Sequence, residues 1–119
     1  MAEPLKIKSS ENQPGPKDEL RQKAKRWDKA KEEYRQNADG TRSTHRMAEG
    51  SSDNSIIAFP TVFPKDRAGT KSHDPKDWIE FDKKNFKTNL DTAYARGEVY
   101  RFKDKNNSAK WAAGEYKKN

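Results

Sequence analysis

Cysteine is absent from the 119 residues, which removes disulfides, zinc–thiolate sites, iron–sulfur clusters and cysteine nucleophiles together. Apolar residues are scarce as well: hydrophobic side chains make up 29% of the chain against 38% charged, and the mean hydropathy is −1.44. That composition does not supply a core for the whole length. The expectation is one modest folded unit with long polar extensions that become ordered against other chains. No segment approaches the roughly 18 apolar residues of a membrane span, and the opening MAEPLKIKSS has no apolar stretch of the signal-peptide kind, so a soluble compartment and no membrane partner are expected. The six glycines are scattered, none in the Gly-Lys-Ser or Gly-x-Gly patterns that cradle phosphates. Neither a cofactor nor a small-molecule substrate is expected.

What is present in quantity is charge. The formal net charge is +7, with a pI near 9.6, a balance that favours polyanionic partners where it is clustered. It is not strongly clustered. Residues 1–37 carry 10 basic and 7 acidic side chains, residues 38–78 carry 6 and 6, and residues 79–119 carry 10 and 6.

Residues 1–17 hold Pro4, Pro14, Gly15 and Pro16 and few large apolar side chains, the composition of an extended polar arm. Residues 18–37 are built from strong helix formers without Gly or Pro, and Leu20, Ala24, Trp27, Ala30 or Lys31, and Tyr34 recur at steps of three and four. This predicts one amphipathic helix with a narrow apolar stripe. Residues 38–54 are rich in turn formers and predict a linker. The folded unit is expected over residues 55–119. It opens with the apolar run Ser55 to Phe63, a strand that Pro60 places at a sheet edge or bends. A second short strand at Trp78 to Phe81 follows. A helix over residues 83–96 has Asp82 as its N-cap and Gly97 as its terminator. A third strand, Glu98 to Phe102, presents Val99 on one face and Tyr100 with Phe102 on the other. Asn106 and Asn107 make a turn, and Ser108 caps a last helix that stops at Gly114. The fold class is α+β: a small antiparallel or mixed sheet with two short helices, preceded by the arm and the amphipathic helix.

Several residues invite a chemical reading, and each has a plainer one. His45 stands beside Ser43 and Thr44, a hydroxyl next to a base, but adjacent residues do not easily face one another, so a structural hydrogen bond or plain exposure is expected. His73 with Asp74, Asp77 and Asp53 matches no metal-ligand spacing and reads as a solvated loop. Trp27 lies among Lys23, Lys25, Arg26, Lys29 and Lys31, the chemistry of sequence-tolerant nucleic-acid binding and a set of candidate phosphate contacts. Asp18, Glu19, Asp28, Glu32 and Glu33 offset that field, so a solvated face with a packing tryptophan is the alternative. The aromatics from Phe59 to Tyr116 are expected to form the core, with Phe59 and Phe63 available for strand addition to a neighbour.

The phrases STHRM (43–47), IIAFPTVFP (56–64), ARGEVYRF (95–102) and AKWAAGEYKK (109–118) resemble a small module of tailed-bacteriophage structural and internal virion proteins. The resemblance covers about residues 43–118. It implies a virion component without catalytic residues, located in the virion and bound to other virion proteins in a symmetric head, neck or tail assembly. The partner-binding residues expected on that reading are Leu20, Trp27 and Tyr34 on the helix with Phe59 and Phe63 on the edge strand. The alternative is a nucleic-acid-associated virion protein that uses residues 23–31.

Overall fold

The structure is a computed structural model that describes residues 16–27, 33–52 and 54–119. Its class is α+β, as the sequence indicates. The elements, in chain order, begin with helix α1 (Pro16–Leu20) and the strands β1 (Arg35–Gln36), β2 (Arg42–Ser43), β3 (Met47–Ser52), β4 (Ser55–Pro60), β5 (Val62–Pro64) and β6 (Trp78–Glu80). Helix α2 (Phe86–Ala95), strand β7 (Tyr100–Phe102), helix α3 (Lys105–Ala113) and a closing 3-10 turn (Glu115–Lys118) complete the chain.

The centre is an antiparallel sheet in the order β3-β4-β7. Its register sets Ala48 opposite Phe59 and Gly50 opposite Ile57 on one side of β4, and Ile56 opposite Phe102 and Ala58 opposite Tyr100 on the other. Successive side chains of a strand point to opposite faces, and here both faces are covered. Ile57, Phe59, Phe63 and Ala93 pack with Leu90 and Val99 against α2. Ala58, Tyr100, Phe102, Trp111 and Tyr116 pack with Ala24 beneath α3 and the N-terminal segment. Two-sided burial explains why β4 reads as a continuous apolar run rather than an alternation.

The caps follow the local chemistry. The Asp82 carboxylate accepts from the Lys84 amide ahead of α2, and Gly97, at φ 69°, ends the helix in the left-handed region. Pro60 is the last residue of β4, and the chain kinks at Thr61, whose amide donates to the His45 carbonyl at 2.8 Å. The run then leaves the central sheet and pairs as β5 with β6. The bend expected at Pro60 is therefore real, but β4 is the central strand and not an edge.

Four expectations need correction. Among the described residues, the helix expected over residues 18–37 ends at Leu20, residues 21–27 form turns and Arg35–Gln36 is strand β1, while residues 28–32 lie outside the described residues. From Leu20 the chain runs in turns across β7 and α3, because distant side chains take the backbone groups a helix would use. Trp111 Nε1 donates to the Gln22 carbonyl at 2.8 Å, and Asn119 Nδ2 to the Leu20 carbonyl at 2.7 Å. The Lys25 amide donates to the Tyr100 hydroxyl at 2.7 Å. These bonds come with burial of Ala24 and Glu19, and together they outweigh a propensity worth only tenths of a kcal/mol per residue, about 0.7 at most.

Second, residues 38–54 are not a free linker: they contain β2 and β3, and β3 pairs along its whole length with β4. Its polar sequence, MAEGSS, is carried by that pairing. Third, Asn106 and Asn107 lie inside α3, whose N-cap is Asp104, accepting from both their amides. Ser108 is buried and donates to Glu49 at 2.9 Å. Fourth, the folded unit begins at residue 18 or before, not at 55. The expected arm falls on residues 1–15, outside the described residues, apart from its last two positions.

Candidate functional site

The interior of this small fold is organised around a polar knot. Arg26 adopts φ 68° and drives its guanidinium inward. Its Nε donates to both oxygens of Glu98 at 2.8 and 3.0 Å, Nη1 to the Thr44 carbonyl and Nη2 to the Val62 carbonyl, each at 3.0 Å. One side chain thus ties the N-terminal segment to β2, β5 and the start of β7. Burial pushes the Glu98 carboxyl above its ordinary pKa, and the charge of Arg26 opposes that rise.

His45 stands beside this knot, fully buried. Its Nε2 lies 2.7 Å from the Lys25 carbonyl. A carbonyl only accepts, so Nε2 carries the proton and Nδ1 accepts from the Thr44 hydroxyl at 2.7 Å. Burial, and then the positive charge of Arg26, pull its pKa down to about 3. Both nitrogens are occupied and no face is open, so His45 holds the Lys25 turn in place. This is the structural role expected of it. The 73–77 loop resolves the same way: His73 stacks on Tyr34 at 3.8 Å, Asp74 accepts from the Lys76 amide and Asp77 accepts from the Ser72 hydroxyl. Asp53 lies outside the described residues.

An open cleft of about 620 Å³ lies next to the knot. It forms where the N-terminal segment, β2 with the turn that follows it, and the C-terminal end meet. Among the described residues, Trp27, Tyr34 and Tyr116 supply its rings, Arg26, Arg42, Arg46 and Lys117 its cations, and Glu33 its single carboxylate. The rings are held rather than loose. Trp27 Nε1 donates to the Lys117 carbonyl at 2.9 Å, Trp27 meets Tyr116 edge-on at 6.0 Å, and the Arg42 guanidinium sits 4.5 Å from the Tyr34 ring. Arg46 and Arg35 share Glu80, so two cations there meet a single carboxylate.

The residues proposed from sequence scatter in this frame. Trp27 and Tyr34 do come together at the cleft. Leu20 packs on the protein's own aromatic cluster, as Trp27 also does in part. Phe59 and Phe63 are fully buried and cannot meet a neighbour by strand addition, because their faces are used by α2. Lys23 and Lys25 are exposed, Arg26 is consumed by the knot, and Lys29 and Lys31 lie outside the described residues. Sequence reasoning missed Arg42, Arg46, Tyr116 and Lys117. The only local sign of them was the recurrence of basic residues around Thr44 and at the C-terminal end.

Among the described residues, the exposed large apolar side chains are Phe86 and Tyr94 on α2, 45% and 41% exposed. No protein-family model, curated protein or solved structure matches this chain.

Proposed function

We propose that this chain is a non-enzymatic structural module of a phage particle, which joins neighbouring subunits by holding an acidic segment of one of them in the basic, aromatic cleft. The observation that carries the reading is the cleft's lining: among the described residues the cations Arg42, Arg46 and Lys117 and three rings stand against the single carboxylate of Glu33, beside an Arg26 already held by Glu98. Rigid rings with cations over them give a partner area and charge complementarity at low entropic cost. A single-stranded nucleic acid suits the cleft less well: base stacking needs an open ring face, whereas Tyr34 already carries His73 at 3.8 Å and Arg42 at 4.5 Å.

The test is quantitative mass spectrometry of gradient-purified particles, with chemical cross-linking. The protein should occur at a fixed copy number, with Lys117 cross-linked to an acidic segment of a neighbouring subunit. Arg42→Glu with Lys117→Glu should prevent incorporation, and Lys110→Glu should not. A protein abundant in infected cells but absent from particles overturns the reading.

A further inference from the structure

Arg26 also lines a second, smaller hollow of about 200 Å³, whose other walls are Lys25, Pro64, Arg67, Arg96 and Glu98. That is room for roughly six waters at about 30 Å³ each. Four cationic side chains here face one carboxylate, and Glu98 already accepts from Arg26 through both oxygens. Lys25, Arg67 and Arg96 remain, and among the described residues none of the three has a carboxylate at ion-pair distance. Asp66 acts on Arg96 only at longer range.

The three are placed by the fold rather than by each other. Arg96 Nη1 donates to the Pro64 carbonyl at 2.5 Å, and its guanidinium lies 5.3 Å from the Phe63 ring. Arg67 Nη2 donates to the Ala95 carbonyl at 2.7 Å. The Lys25 amine sits against the bare backbone of Gly97, where an added Cβ would lie 2.8 Å from Nζ. These bonds leave Nε and Nη1 of Arg67, Nε of Arg96 and the whole Lys25 amine without a protein acceptor. Like charges are thus held together on anchored stems, an arrangement that costs free energy until an anion relieves it. Burial lowers the pKa of Arg96; the Glu98 carboxylate opposes that fall, and the charges of Arg67 and Arg26 add to it.

We propose that Lys25, Arg67 and Arg96 form an anion site that takes a phosphate group, free or as a phosphomonoester. A tetrahedral oxyanion offers acceptors in several directions, and three separate donors can each find one. A planar carboxylate matches a single guanidinium fork. The site is separate from the cleft of the proposed function and stands without it.

The test is an NMR titration of the full chain near neutral pH, following the Arg96 and Gly97 amides and the arginine Nε–H signals. Inorganic phosphate and a nucleoside 5′-monophosphate are titrated in parallel, with acetate as the planar control. Saturable phosphate binding at about 1 mM or tighter is expected. Loss of one charge-assisted donor in Arg67→Gln or in Lys25→Gln should weaken it about tenfold, while Lys110→Gln leaves it unchanged. Both exchanged side chains are exposed, and an unchanged unfolding midpoint certifies the fold of each variant. If the monophosphate binds as tightly as free phosphate, the source is a phosphoester; if only free phosphate binds, it is the ion. Absence of saturation in the wild type, wild-type affinity in both variants, or an equal response to acetate overturns the proposal.

Discussion

Acidification should weaken this protein at pH values where ordinary carboxylates are still ionised, and His45 is the reason. In the fold its pKa is about 3, against 6.5 for the free side chain. Below pH 6.5 the unfolded chain takes up a proton that the folded chain refuses until about pH 3. The unfolded state therefore binds more protons throughout that window, and stability falls as the pH falls. At about 1.36 kcal/mol per pKa unit, the window of roughly 3.5 units is worth about 5 kcal/mol, with about 2 kcal/mol lost by pH 5. His45 is fully buried, so solvent screening does not reduce the figure. Glu98 works in the opposite sense: its raised folded pKa contributes stability that appears on acidification, so the sum is a ceiling.

With a urea slope of roughly 1–3 kcal/mol per molar, the midpoint should drop by about 1 M between neutral pH and pH 5. Tryptophan fluorescence follows it, since Trp111 is buried in the core. Of the chain's two histidines, the variant His73→Gln leaves only His45. Its ring signals should then show no titration above about pH 4 in the folded protein. A ring that titrates near its ordinary value would refute the argument, because it would mean that the imidazole reaches water.

Arg26→Gln should cost about 3–5 kcal/mol, since it strands the Glu98 carboxylate in the interior and removes donors from two carbonyls; a loss below about 1 kcal/mol in thermal unfolding would show that water replaces the guanidinium. Phe59→Ala should likewise cost about 3–5 kcal/mol as a core deletion, lowering the unfolding midpoint rather than selectively abolishing a partner contact, and a stable variant that fails only in assembly would restore Phe59 as a docking residue.

What could be read in advance was whatever depends on near neighbours. The apolar run of β4, the Gly97 terminator and the faces of β7 are all set by side chains within a few residues of one another, and each stands where expected; Asp82 caps not the expected helix over 83–96 but the 3-10 turn Lys83–Asn85 ahead of it, and α2 starts at Phe86 with no side-chain cap. The misplaced elements share a different cause. Met47 to Ser52 lacks the alternation of a strand and becomes one only because β4 lies beside it. Asp104 was passed over as the cap of α3 in favour of Ser108, which the fold buries against Glu49 instead. The cleft was half legible: Trp27 and Tyr34 were singled out, but the cations and the tyrosine that complete it come from residues 42, 46, 116 and 117.

Composition and local pattern by themselves determined the α+β class, the small aromatic core and the excess of positive charge. The tertiary structure alone decided that residues 21–27 run in turns rather than as a helix. It also decided that Arg26 is an interior anchor rather than a phosphate contact, and which groups His45 holds. Helix propensity is a sum of small local terms, whereas the carbonyls of Leu20, Gln22 and Lys25 are claimed by single strong partners, Asn119, Trp111 and His45, which only the folded chain brings within reach.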